Sequence, residues 1–255
     1  MSERPRAPLS VVAHACVSDT GRVRSENQDG FFADPTAGLF FVADGMGGMA
    51  AGAAASQYIV KFLPGILTAA LAAVTKDAER LVRAALGKAV TEFSAGLRDR
   101  ARAEPALKGM GSTLVLALVR GRRVFIVSVG DSRAYLLERG RFKRLTKDHS
   151  IVAVMLELGK ITVEEAEKHP FRHKLSRYVG QEGKAVGDIH ALSFKGEARL
   201  LLCSDGLTGM LPDARIAAAL KEEGSPEAAC RRLVSEANAA GGDDKRGLAR
   251  AHASN

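Results

Sequence analysis

The sequence predicts one mixed domain in which β-strands are separated by inserted helices, an α/β-type arrangement. Three observations carry that reading. Apolar runs of strand length, rich in β-branched or aromatic residues, recur along the chain. A long Ala- and Leu-rich stretch interrupts them with helical spacing. No internal repeat, low-complexity tract or linker divides the 255 residues, a length that suits one large domain or two small ones.

The elements follow in order. Residues 1–8 read as a short disordered lead and 9–255 as a single domain. Strands are expected over 10–17, 39–43, 113–119, 124–129, 134–137 and 199–203. Between the second and third lies the stretch 50–103, where Pro64 and Gly65 predict a break between two helices. A further helical region covers about 150–168, with Gly159 as a break and Thr162-Val163-Glu164-Glu165 restarting it as a capping box. Two helices are expected near the end. One spans 213–222 after Pro212, and the other has Ser225 as N-cap, Pro226 at N1 and an end near Asn238 before Gly241-Gly242.

Composition narrows the class. Hydrophobic residues make up 46% and charged residues 26%, which excludes wholesale disorder. The net charge of +8 brings nucleic acid or another anionic partner into consideration. The basic residues are scattered, however, and no nucleic-acid-binding signature is present. A nucleotide triphosphatase is disfavoured because GxxxxGK[ST] is absent. Cys16, Cys203 and Cys230 stand far apart without a CxxC pair, which argues against a thiolate metal site or disulfide framework and for a reducing compartment. No signal-peptide pattern opens the chain, and no apolar run reads as long enough for a membrane span. A soluble cytoplasmic protein with no membrane or nucleic-acid partner is the expectation.

Candidate chemistry sits where predicted strands run into aspartate. Phe40–Ala43 leads to Asp44-Gly45, Phe125–Val129 to Gly130-Asp131, and Leu200–Ser204 to Asp205-Gly206. Each Asp has a glycine beside it, which allows a sharp turn. If the strands share a core, three carboxylates can converge, and clustered carboxylates resist burial unless a cation sits among them. Oxygen-only ligands suit Mg2+ or Mn2+. The alternative is that each Asp-Gly is only a turn, and spacing alone does not decide between the two.

Motifs in order then point to a family. Arg24-Ser25-Glu26-Asn27-Gln28-Asp29 comes first, followed by Val42-Ala43-Asp44-Gly45-Met46-Gly47-Gly48 and Gly111-Ser112-Thr113. Next come Val129-Gly130-Asp131-Ser132-Arg133-Ala134-Tyr135, Leu145-Thr146-Lys147-Asp148-His149-Ser150, Cys203-Ser204-Asp205-Gly206-Leu207 and Gly241-Gly242-Asp243-Asp244. This set resembles the metal-dependent protein serine/threonine phosphatases of the protein phosphatase 2C type, in their bacterial form. The resemblance implies an α+β fold: a central antiparallel β-sandwich with helices on both sides, in four αββα layers. It implies two Mg2+ or Mn2+ ions, often with a weaker third, and a phosphoserine or phosphothreonine protein substrate attacked by an activated water. Carried over, Asp44 bridges two metals with the Gly45 carbonyl on one of them, and Asp205 and Asp244 hold the second. Asp29 helps through water, Asp131 joins Asp205 at the third position, and Arg24 clamps the substrate phosphate with its planar fork. Segment 148–180 resembles the family's flap, with a plain surface hairpin as the alternative.

Departures from the pattern matter as well. Met49 stands where bacterial relatives usually carry a histidine suited to protonate the leaving group, and methionine donates no proton. His149, His169 and His173 are other histidines to weigh for that role. Ala53 replaces a usual glutamate. Lys245 and a stretch of poor β-propensity follow Asp244, so a final strand that is frayed, short or replaced by helix is expected, and Asp243 competes for the ligand role. The leading expectation is a phosphatase working with a serine/threonine kinase or its targets. The alternative is a degenerate relative that binds phosphoproteins or a kinase without efficient turnover.

Overall fold

The computed structural model describes residues 11–21, 26–74, 78–241 and 246–253. The expected disordered lead, 1–8, lies outside them. Two antiparallel sheets stack face to face. One has the order β1-β11-β10-β7-β8, from Val11–Asp19, Arg246–Ala253, Ala198–Cys203, Arg133–Glu138 and Arg141–Arg144. The other has the order β2-β3-β5-β6-β9, from Asp29–Asp34, Leu39–Met46, Leu114–Arg120, Arg123–Val129 and Asp188–Ser193, with β4 (Gly111–Ser112) paired to β3.

Period-2 alternation decides the layers. Phe40, Val42, Val115 and Ala117 meet Ala134, Leu136, Leu200 and Leu202 between the sheets. The alternate residues Leu39 and Phe41 face outward onto α1 (Met49–Ala72) and α2 (Glu79–Ala103). On the opposite side Tyr135, Leu137, Leu201 and Cys203 pack on α6 (Asp213–Glu222) and α7 (Pro226–Ala239) through Ile216, Leu220 and Leu233. The four-layer αββα arrangement follows.

Several expectations are corrected. Pro64 does not break α1; it sits inside a continuous helix. Ile59, Leu63 and Leu67, all fully buried, recur four residues apart through the proline, and that packing outweighs one missing N–H. The break falls after Ala72 instead. Ala51–Ala72 is also long and apolar enough to cross a membrane by length and composition, contrary to the sequence reading. Its buried stripe against β3 and α2 is the packing of a core helix. The final strand is neither short nor helical: β11 runs eight residues between β1 and β10, pairing Leu248 with both Val17 and Cys203. Hydrogen-bond ladders on both edges override its poor propensity.

The region after β8 matches its expectation. Ser150 caps α3 (Ile151–Glu157), Gly159 follows at φ 65°, and Thr162 with Glu165 forms the capping box of α4 (Val163–Lys168). Ser225 caps α7 with Pro226 behind it.

Candidate metal centre

The aspartates gather at one end of the sandwich. In the register of β2 and β3, Asp29 lies directly opposite Asp44, which sets their Cα atoms about 4.5–5.5 Å apart. Two like charges in such a pair repel, so the pairing is unfavourable without a cation. The backbone of Asp44 is held firmly. Its N–H donates to Thr113 Oγ1 at 3.0 Å, and its carbonyl accepts from Thr113 N and Ser112 Oγ, both at 2.8 Å. Thr113 Oγ1 also meets Ser132 Oγ at 2.6 Å, tying this strand to the residue after Asp131. The Gly111-Ser112-Thr113 motif carried that signal in the sequence, without showing its purpose.

Gly45 does not form a turn, as its place beside Asp44 suggested; β3 continues through it to Met46. It is glycine because α1 comes too close. A Cβ there would lie 1.9 Å from the carbonyl oxygen of Gly52. Its N–H donates to the Gln28 carbonyl at 3.0 Å. Gly130, by contrast, is a true turn glycine at φ 103°, between β6 and Asp131.

Asp205 arrives from the other sheet. β10 ends at Cys203, Ser204 is the N-cap residue, and Asp205 opens the single-turn helix α5 (Asp205–Thr208). Ser204 Oγ donates to Asp29 Oδ2 at 2.9 Å, which joins the two sheets at their carboxylate end. Asp131 senses the same crowd. Burial, then the charges of Asp205 and Asp148, push its carboxyl up to about 8, against its backbone hydrogen bond and Arg133. A cleft of about 330 Å³ opens beside Asp29, lined also by Ser18, Asn27 and Lys61.

These residues fit a hard divalent cation in kind. The donors are carboxylate oxygens and a backbone carbonyl, the ligands of Mg2+ or Mn2+ rather than of a thiophilic ion. Among the described residues no three His, Cys, Asp or Glu side chains form a metal cluster by themselves. Arg24, Asp243 and Asp244, to which the resemblance assigns phosphate clamping and metal binding, lie outside the described residues.

The histidines divide. His149 is buried with both ring nitrogens occupied: Nδ1 accepts from Gly130 N at 3.1 Å, and Nε2 lies 3.1 Å from Asp188 Oδ2. Burial lowers its pKa, and Arg177 lowers it further, against the pull of Asp188 and Asp148, so it is a neutral structural residue rather than a proton donor. His169 is half-buried and His173 exposed on segment 148–180. That segment is anchored at both ends. His149 N donates to the Gly130 carbonyl next to Asp131, and Val179 pairs with Ser112.

Comparison with known proteins agrees with this geometry. A family model described as protein phosphatase 2C matches residues 21–238. The chain is 37% identical over 230 residues to the serine/threonine phosphatase Stp of Listeria monocytogenes, covering 89% of this chain and 90% of that protein. It is 38% identical over 236 residues to the serine/threonine protein phosphatase PstP of Mycobacterium tuberculosis, covering 92% of this chain and 43% of that one. Among solved structures, Stp1 from Staphylococcus aureus superposes with a TM-score of 0.85 at 30% identity, covering 100% of both chains. The PstP catalytic domain in complex with two manganese ions gives 0.76 at 34% identity, covering 94% of this chain and 97% of that one. The chain belongs to the protein phosphatase 2C family, whose members are metal-dependent hydrolases. Its activity is that of a serine/threonine protein phosphatase, and the inactive binding-module reading is not favoured.

Proposed function

We propose that the chain hydrolyses phosphoserine and phosphothreonine in proteins at the carboxylate end of the sandwich. Asp44 and the Gly45 carbonyl, Asp205 and Asp244, with Asp29 through water, would hold two Mg2+ or Mn2+ ions there, and Asp131 would join Asp205 at a weaker third position. Bound there, the ions would supply charge that lowers the pKa of water and offsets charge on the phosphoryl oxygens. The single observation that carries the reading is Asp29 opposite Asp44 with Ser204-Asp205 delivered onto them from the other sheet.

The chain's own residues then have defined work. Ser112, Thr113 and Gln28 fix the backbone that carries the Asp44 carboxylate and the Gly45 carbonyl. Arg24 orients the substrate phosphate for in-line displacement. Met49 gives the leaving alkoxide no proton, so solvent does so. The phosphorylated partner would come from a serine/threonine kinase in the cytoplasm, with no nucleic acid or membrane required. The +8 charge then serves anionic phosphoproteins.

The test is hydrolysis of a phosphothreonine peptide and of p-nitrophenyl phosphate while Mn2+ is titrated against a chelator. Turnover that appears with the metal and disappears with the chelator is expected. Turnover indifferent to both would overturn the metal-dependent reading. Retention on immobilised nucleic acid at physiological salt would contradict the assignment of the charge.

A further inference from the structure

A cavity of about 570 Å³ opens away from the aspartates, between the last turns of α2, the short 3-10 turn Pro105–Leu107 and the end of segment 148–180. Its size is that of a pocket for a side chain or small ligand. Ala101, Met110 and Tyr178 give it an apolar floor. The Tyr178 ring lies so close over Gly111 that a Cβ there would come within 2.8 Å of it. Arg98, Arg102 and Lys108 form the rim with Glu182. Arg102 pairs with Glu182 at 2.5 Å and Arg98 with Asp99 at 3.0 Å, whereas Lys108 is exposed and makes no ion pair among the described residues. With two of the three cations paired to carboxylates, Lys108 leaves the rim positive.

The wall of the cavity is joined to the candidate metal centre through the backbone. Gly109 and Met110 lead directly into β4, whose Ser112 pairs with Gly45 on one side and bridges to Val179 on the other. The would-be Cβ of Gly47 lies 2.5 Å from the Gly109 carbonyl oxygen, so the loop behind Gly45 touches the wall of the cavity. Two strand spacings separate Gly45 from Val179, about 10 Å. An extended peptide advances about 3.3 Å per residue, so a chain with its phosphorylated residue at the metals reaches the cavity about three residues away.

The geometry points to this groove as a substrate-recognition site that takes an apolar side chain with an acidic neighbour about three residues from the phosphorylated position. The assignment rests on the phosphatase reading above. Apolar floor and positive rim are complementary to that pair of side chains. An acidic residue there meets Lys108 without first displacing a carboxylate.

The test compares two phosphothreonine peptides, one with Leu-Glu and one with Gly-Lys about three residues to either side of the phosphothreonine. The readout is kcat/KM for each, divided by that for p-nitrophenyl phosphate, which is too small to span the distance. The wild-type protein is expected to prefer the Leu-Glu peptide about tenfold, and Lys108→Glu to abolish that preference. Equal rates for both peptides, or a preference unmoved by Lys108→Glu, would overturn the groove. Failure of the wild-type protein to hydrolyse either peptide or the nitrophenyl ester would sink the phosphatase reading instead. Fluorescence anisotropy of the labelled peptides then decides the groove: tighter binding of Leu-Glu that is lost in Lys108→Glu supports it, and equal binding rejects it.

Discussion

Asp131 and Asp188 stand at the same end of two paired strands, β6 and β9, and reach opposite electrostatic states. Asp188 lies opposite Ser128 in the ladder, and Asp131 follows two residues after β6 ends. Burial raises the pKa of both. At Asp188 the hydrogen bonds from Arg177 and His149 outweigh it, and the carboxyl titrates below its ordinary range. At Asp131 the nearby charges of Asp205 and Asp148 add to burial, and the carboxyl is pushed up to about 8. One aspartate has been built into the fold as an anion. The other is held among anions, an arrangement that a divalent cation relieves. Residue type does not distinguish a structural carboxylate from a metal-binding one; the neighbours do.

The sharpest way to break this contrast is to neutralise one aspartate of each kind. Asp44→Asn should lower metal-dependent turnover about 10²- to 10³-fold, the scale of losing one fixed electrostatic contributor. Calorimetry should show weaker Mn2+ binding with little change in melting temperature. Asp188→Asn should do the reverse. It removes the charge and one of the two acceptor oxygens that Arg177 and His149 share, costs about 1–3 kcal/mol, and lowers the melting temperature by roughly 2–4 °C per kcal/mol. Equal loss of Mn2+ affinity in both variants would erase the distinction.

Met49→His tests the missing proton donor. General acid help is worth about 10²–10⁴-fold, so turnover of a phosphothreonine peptide should rise toward the low end of that range. The nitrophenyl ester, whose leaving group needs little protonation, should change much less. A rise shared equally by both substrates would contradict the proton-donor explanation.

Gly45→Ala probes the scaffold behind the carboxylates. The added Cβ would lie 1.9 Å from the Gly52 carbonyl oxygen, so α1 must shift at a cost of about 1–3 kcal/mol. Both melting temperature and Mn2+ affinity should fall. A variant as stable as the parent would show that α1 yields freely.

The smallest expected effect is on pH dependence. His149 faces Asp188, Arg177 and Asp148, and its folded-state pKa is depressed. The unfolded chain therefore binds the proton more readily. Stability from this group is complete above about pH 6.5 and is lost as pH falls from there toward the folded value. Asp188, also depressed, contributes stability above about pH 3.9 that is lost as pH falls through its folded value. His149 should therefore lower the melting temperature as pH falls from 7 to 5, against the opposite trend from Asp131, whose raised carboxyl gains stability on acidification, and His149→Gln should remove the His149 part of that slope. An unchanged slope would show that other groups cause it.

Much of this was legible in the residues. Apolar runs of strand length in 39–43 and 199–203 announced strands, and Ser225-Pro226 announced a helix start that the structure reproduces. The strands that escaped notice, β2, β8 and β9, have partly exposed faces and mixed polarity, so local pattern carries little signal for them. β11 was expected only as frayed, short or replaced by helix, because its Arg, Gly and Ala residues prefer no strand, and two ladder edges make it one.

The order of the motifs by itself determined the family, because each motif pairs a strand with a residue whose chemistry needs that position. Covalent order along the chain is enough for that. The register that sets Asp29 against Asp44, the hydroxyl of Ser204 that joins the sheets, and the enclosure of His149 were decided by the tertiary structure alone. They link residues far apart in sequence, and their energies depend on distance and burial, which no local pattern encodes.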